Sequence, residues 1–320
     1  MNGCEPHGQS RASVSVVVCT RNRADQLPTC LDALGCQTKL EFETLVVDNA
    51  PVDQSTRDLI YGRYKDCRYI VEPRQGIACA RNRGIAESRG EIVAFLDDDC
   101  RPIAGWLDAI AANFLARPWL GCCTGPVLPM EVKTPAQRLM EVRGGFNKGF
   151  VKKVFDREPA ADQSKSYPLQ TWMCGTGGNM SFRRSIFNRI GLFDEWLQSA
   201  EDLEMFYRVL RHGLELIYEP VAVVQHQHVD DYWVLRRRLY CWGLGYIAYL
   251  AKVARHDPIY RKKALCEIIG WYSYQVKDRL WPRLRGERDM SLPLDLILAE
   301  IAGGLVAIPC YLLQWLRALC

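Results

Sequence analysis

Between Val14 and Asp99, short apolar runs alternate with segments of helical periodicity. That alternation limits the folds open to this chain more than any other feature. Strands separated by helices do not pair as tight hairpins; they run parallel, with the helices packed on the sheet faces. The pattern predicts a strand over Val14–Val18, a helix with Leu27, Leu31 and Leu34 on one face, and a second strand over Thr44–Val47. A helix near Gln54–Tyr64 and a short strand at Tyr69–Val71 follow. Gly76 then opens a helix over Ile77–Ser88, Gly90 supplies its stop, and a fourth strand covers Ile92–Leu96. The fold class is α/β with a mostly parallel sheet.

Parallel strands deliver their carboxyl ends to one rim, where open α/β sheets bind ligands. The first strand leads into Thr20, Arg21, Asn22 and Arg23, the second ends in Asp48-Asn49, and the fourth ends in Asp97-Asp98-Asp99. Alternation along an extended stretch puts Asp97 and Asp99 on one face and Asp98 on the other. Hard cations such as magnesium and manganese take oxygen ligands of this kind. The plain alternative is an acidic turn before a helix starting near Trp106. Neither a GxxxxGK[ST] loop nor a GxGxxG after the first strand is present, which argues against a P-loop ATPase and a Rossmann dehydrogenase.

Further along, Asp156 to Tyr167 reads as a polar, mobile loop. Gly175-Thr176-Gly177-Gly178-Asn179 then permits close backbone approach to a ligand, or forms a turn. Leu203, Phe206, Tyr207 and Leu210 have helical spacing, ended by His212-Gly213. Ser199 and Asp202 match an S-x-x-D cap, a structural role for Asp202 that competes with a chemical one.

The 320 residues are 48% hydrophobic with a net charge of +4, so nothing global points to nucleic acid. Fourteen cysteines occur without a CxxC, which suggests a reducing, cytoplasmic compartment and buried thiols, Cys122-Cys123 among them. Residues 1–12 read as a flexible tail without a signal-like apolar stretch. Residues 230–290 form a basic helical extension carrying Arg236, Arg237, Arg238, Lys252, Arg255, Arg261, Lys262, Lys263, Lys277, Arg279, Arg283, Arg285 and Arg288. Residues 291–320 form an apolar helix interrupted by Asp295, Glu300 and Pro309. Its uncharged run is short of the about twenty residues a bilayer span needs. Basic helices beside it suggest peripheral attachment to the inner face of an anionic membrane; packing on the domain is the alternative.

Taken in order, these segments resemble an inverting glycosyltransferase of family 2, with the GT-A fold, over roughly Val14 to Gly245. The resemblance rests on Val16-Val17-Val18-Cys19-Thr20-Arg21-Asn22-Arg23, Val46-Val47-Asp48-Asn49 and Gly76-Ile77-Ala78-Cys79-Ala80-Arg81-Asn82-Arg83-Gly84. It continues through Asp97-Asp98-Asp99 as the D-x-D, Gly177-Gly178-Asn179-Met180 with Gly191-Leu192-Phe193-Asp194-Glu195, and Glu201-Asp202. It implies a GT-A catalytic domain over 13–229. Asp97 and Asp99 would hold manganese or magnesium, with His226 or else His228 completing the set. Thr20, Arg21, Asn22, Arg23, Asp48, Asn82, Asp97, Asp98, Gly177, Gly178 and Asn179 would contact the nucleotide-diphosphate sugar. Asp202 would be the catalytic base, with Glu201 beside it. Arg236 to Arg238 would contact diphosphate or lipid phosphate, or form a solvated face.

Two departures stand out. Many family members have D-G-S after the second strand, where this chain has Asp48-Asn49-Ala50-Pro51. The Q-x-x-R-W signature of processive synthases is missing, which implies transfer of a single sugar. The acceptor would be a lipid-linked or cell-envelope glycan, or a small molecule. The competing readings are a sugar nucleotidyltransferase, against which Glu201-Asp202 counts, and a non-catalytic nucleotide-sugar-binding protein, against which Asp97, Asp99 and Asp202 count.

Overall fold

The structure is a computed structural model and describes residues 13–37, 41–156, 167–197, 199–286 and 292–317. The tail expected over 1–12 and most of the polar loop expected after Asp156 lie outside the described residues. In chain order the first half contains β1 (Val14–Thr20), α1 (Leu27–Gly35), β2 (Phe42–Asn49), α2 (Ser55–Arg63), β3 (Cys67–Glu72), α3 (Ile77–Glu87), β4 (Ile92–Asp97), β5 (Cys100–Pro102), α4 (Trp106–Ala116), β6 (Leu120–Thr124), β7 (Val127–Pro129), α5 (Pro135–Val142) and β8 (Lys153–Phe155). The second half contains β9 (Asn179–Arg183), α6 (Phe187–Ile190), α7 (Glu201–Arg211), β10 (Glu215–Tyr218), β11 (Val224–His226), α8 (Tyr232–His256), α9 (Arg261–Tyr274), α10 (Trp281–Leu284) and α11 (Leu294–Arg317). A π-helical turn, Gln275–Leu280, joins α9 to α10.

Eight strands form one sheet in the order β3-β2-β1-β4-β9-β6-β10-β8. The first four are parallel. β9 enters antiparallel between β4 and β6, β10 runs parallel to β6, and β8 closes the edge antiparallel. A small second sheet, β5-β11-β7, lies over the rim. β1 is buried along its whole length because helices cover both faces. Val16 and Val18 pack with Leu27, Leu31, Trp106 and Ile110 on one side. Val17 and Phe95 pack with Ala80, Ile85 and Phe206 on the other. Cys122 and Cys123 are core side chains, and the described cysteines are all free.

Two local expectations change. Gly90 does not stop α3 through a left-handed turn; the helix ends at Ser88 in extended backbone. Gly90 instead lies against β1, where a Cβ would come within 2.6 Å of the Ser15 nitrogen. Ser199 does not cap α7. The N-cap is Ala200, at a left-handed φ of 63°, with no side-chain cap bond. The cations of the basic extension are partly taken up within the protein. Arg279 is buried, Lys252 pairs with Asp194 and Glu204, and Arg236 approaches Asp295.

The C-terminal helices form a separate layer. α11 lies so close on α8 that a Cβ at Gly303 would sit 1.9 Å from the Tyr240 carbonyl oxygen, and one at Gly243 would sit 2.0 Å from that of Glu300. Leu235 and Leu239 of α8 meet Leu292, Leu296 and Ile297 there. Among the described residues no helix is long and apolar enough to cross a membrane.

Candidate functional site

The strand register places Thr20 beside Asp48, and Cys19 beside Asp97, so the polar ends of β1, β2 and β4 share one rim. A cleft of about 1240 Å³ opens there. Asp97, Asp98 and Asp99 all line it, because β4 ends at Asp97 and the chain turns. Strict alternation therefore fails at this point. Asp98 accepts from the Thr20 hydroxyl (2.7 Å) and from Arg23 Nη1 (3.0 Å), which also reaches Asp99 (3.2 Å). Burial pushes the Asp99 carboxyl up to about 7, and the charges of Asp97 and Asp98 add to it.

Next to the aspartates, Gly177 faces the guanidinium of Arg81 and Gly178 faces the carboxylate of Asp97. A Cβ at either glycine would fall inside 3.0 Å of those groups. Arg81 is buried and donates to Glu201 (2.5 Å), Asp97 (3.4 Å) and the Gly177 carbonyl (3.3 Å). Asp202, in the first turn of α7, accepts from the peptide N–H of Gly177 (2.6 Å) and of Leu203 (2.8 Å). Burial raises the pKa of both acids, Glu201 to about 7, even with Arg81 alongside.

The two histidines are distinct. His226 lines the cleft, with Nε2 3.5 Å from Asp99 Oδ1. Its Nδ1 meets His228 Nδ1 at 2.7 Å, and His228 Nε2 meets Glu141 at 2.7 Å. With both rings neutral, Nε2–H of His228 donates to Glu141, and Nδ1–H of His226 donates to His228. This tautomer is assigned from the bonding pattern. It leaves the Nε2 lone pair of His226 facing Asp99. Burial, with Arg238 nearby, pushes the His226 pKa well down, which keeps the ring neutral. Asp99 Oδ1 is buried without a hydrogen-bond partner. An oxygen and a nitrogen lone pair facing each other in a buried site suit a shared cation. Among the described residues no cluster of three or more such ligands already encloses a metal position.

Other candidates from the sequence fall elsewhere. Arg21 lines the cleft. Asn22, at φ 53°, accepts from the Val52 N–H, away from the cleft lining. Asp48 is fully buried and accepts from the Tyr69 hydroxyl; Asn49 presents the rim beside it. The Asn82 amide is spent on Phe193 and Glu195. The Asn179 amide is spent on Pro126, Ala222 and Trp106.

The sequence profile of glycosyl transferase family 2 matches residues 15–191, more than half of the chain. The chain belongs to that family. It is 29% identical over 242 residues to the pre-mycofactocin glycosyltransferase of Mycobacterium tuberculosis, covering 73% of this chain and 47% of that protein. Polypeptide N-acetylgalactosaminyltransferase 6 of Homo sapiens is 25% identical over 233 residues, covering 67% of this chain and 37% of that protein. This family 2 chain thus spans about half the length, or less, of these curated relatives. Its fold is the GT-A glycosyltransferase fold. The mannosyltransferase PcManGT of Pyrobaculum calidifontis, in complex with GDP-Man and Mn2+, superposes with a TM-score of 0.57 at 18% identity, over 95% of this chain and 89% of that one. TarS 1–349 of S. aureus superposes with a TM-score of 0.54 at 18% identity, over 94% and 91%.

Two cations of this family 2 cleft, Arg81 and Lys148, had no role of their own in the sequence, whereas Arg238 lies in the cleft lining, within the Arg236 to Arg238 run expected at a phosphate. Arg81 lies among Ala78, Ala80 and Ile85, an arginine on an apolar helix face, which is a legible signal of a buried ion pair. Arg238 neighbours Leu239 and lies three residues beyond Leu235, on the inward side of α8. Lys148 lies on a loop with no pattern around it, and nothing in the sequence marks it.

Proposed function

We propose that the chain is a metal-dependent, inverting glycosyltransferase that moves one sugar from a nucleotide-diphosphate sugar to an acceptor hydroxyl. One observation carries this reading: Asp97, Asp98 and Asp99 share a single cleft with Arg81, Glu201 and Asp202. Asp97, Asp99 and Nε2 of His226 are the groups that would hold manganese or magnesium, with His228 and Glu141 orienting the imidazole from behind. The cation supplies positive charge to the diphosphate leaving group.

Arg23 and Arg238 add fixed positive charge at the same rim. Asp202 takes the proton of the attacking hydroxyl onto a carboxylate oxygen. The Gly177 and Leu203 amides hold that carboxylate in place, and its raised pKa makes it a better base at neutral pH. Arg81 keeps Glu201 and Asp97 in position without entering the chemistry. A base-activated hydroxyl displacing the diphosphate in one step inverts the anomeric carbon. Peripheral membrane contact fits exposed Trp233 and Trp281, each with an arginine over its ring, Arg236 and Arg285.

The deciding experiment is Asp202→Asn, assayed against a panel of nucleotide sugars with manganese. Removing a general base costs about 10²- to 10⁴-fold in rate. Donor binding, read by thermal shift, should stay near wild type. Normal turnover by the variant would refute the base assignment.

A further inference from the structure

Beyond the donor rim the cleft continues as a second arm under the C-terminal helices, walled by Trp172, Trp242, Tyr246, Trp271 and Tyr274. Two cations, Lys148 and Arg143, line this arm. The Lys148 ammonium lies 5.8 Å from the centre of the Trp172 ring, with no carboxylate at ion-pair distance among the described residues. Its backbone is fixed: the Lys148 N–H donates to the Tyr218 hydroxyl (3.2 Å), which donates to the Gly149 carbonyl (2.9 Å). Nearby, two guanidiniums share one carboxylate. Arg143 grips Glu300 through Nε (3.0 Å) and Nη2 (2.5 Å), and Arg279 Nη1 reaches the same carboxylate at 2.7 Å.

Behind the lining residues, Arg279 Nη2 and Gln275 Nε2 are buried donors with no acceptor. Both side chains come from the π-helical turn, a geometry frequent at functional sites. The other acid lining this arm, Glu267, is taken up by Tyr246 and Gln170. A largely buried ammonium without a carboxylate partner, such as Lys148, costs free energy that an anion in the cleft recovers.

We propose that this arm is the acceptor pocket and takes an acceptor carrying an anionic group, phosphate or carboxylate, bound by Lys148 with the Arg143–Arg279 pair behind it. The proposal rests on reading the cleft as a sugar-transfer site. Lys148 and Asp202 line the same cleft, so an acceptor anchored at Lys148 lies in the space that Asp202 faces. Burial, together with Arg143 and Lys153, lowers the Lys148 pKa to about 8, as expected of an ammonium waiting for a counter-anion.

Calorimetric titration of the metal-free full chain with inorganic phosphate, acetate and dodecyl phosphate tests this. Two variants are compared: Lys148→Met, and Arg238→Met, which removes a cation from the donor rim instead. The expected result is saturable binding of phosphate or acetate that weakens about tenfold or more in Lys148→Met. It should persist in Arg238→Met and return in Lys148→Arg. Lys148 gives up no ion pair on substitution, so the melting temperature should hold. Tighter binding of dodecyl phosphate than of phosphate assigns a lipid phosphate, and equal binding assigns a water-soluble one; either upholds the anion site. Absence of saturable binding, binding that survives Lys148→Met, or binding lost only in Arg238→Met overturns it. Donor binding with manganese is read separately, so failure of the sugar-transfer reading shows there and leaves the anion result standing.

Discussion

One guanidinium, Arg81, faces three buried or half-buried carboxylates: it bonds Glu201 and Asp97, and Asp202 lies within its field. A single cation does not offset burial at Glu201, whose pKa rises to about 7 from an ordinary 4.5. Between those values the folded state keeps a proton that the unfolded chain releases. The contribution to stability is therefore full below 4.5 and is lost as pH climbs to about 7. Glu201→Gln removes this titration. The melting temperature of the wild type should fall more steeply between those limits than that of the variant; parallel slopes would sink the assignment. Asp99 gives a second prediction at this scale. A donor at a hundredfold over its Kd stabilises the fold by about 2.7 kcal/mol. In Asp99→Ala the manganese-dependent part of that shift should vanish; an unchanged shift would remove Asp99 from the metal set. The Asp triplet was visible in the sequence because it ends a strand. The local geometry was not: the turn after Asp97 breaks the alternation, and all three side chains line the cleft.

Elements were legible in proportion to their length and to how evenly they are buried. β1, β2 and β4 are apolar runs buried on both faces, and their register brought the expected strand ends together. β5, β7 and β11 are three residues each, too short for any period to register. β9 was hidden for another reason. Its residues follow the Gly177-Gly178 stretch and read as a turn, yet the strand fills the space between β4 and β6. Helix caps were also misread, since a Ser-x-x-Asp match says nothing of the backbone angle that put Ala200 at the N-cap. The contact of α8 with α11 depends on residues without side chains. Gly303→Val would drive methyl groups into the Tyr240 carbonyl, overpacking that costs about 1–3 kcal/mol. The melting temperature should drop by several degrees. Gly270→Ala, where a Cβ meets nothing within 4 Å, serves as the control and should leave it nearly unchanged.

At the scale of the whole molecule, the C-terminal helices are joined to the GT-A sheet by charge as well as by apolar packing. Glu300 of α11 is buried and binds Arg143, just after α5, and Arg279 of the π-helical turn. The two arginines hold its pKa below the ordinary value against the opposing effect of burial. This tie was beyond the sequence, where Glu300 read only as an interruption of an apolar run. It also changes what truncation would report. Removing residues 292–320 takes away Glu300 with Leu296 and Ile297, so loss of membrane fractionation in such a chain would follow from a damaged fold as readily as from a lost anchor. Glu300→Gln isolates the tie. It leaves Arg143 and Arg279 buried without their carboxylate, and breaking a buried pair from one side costs about 3–5 kcal/mol. Urea unfolding should show that loss, with protease sensitivity rising first in α9 to α11. If the variant unfolds at the wild-type midpoint, the charge cluster does not hold the two layers together. A bound anion in the second arm would then need a different scaffold from the one Glu300 provides.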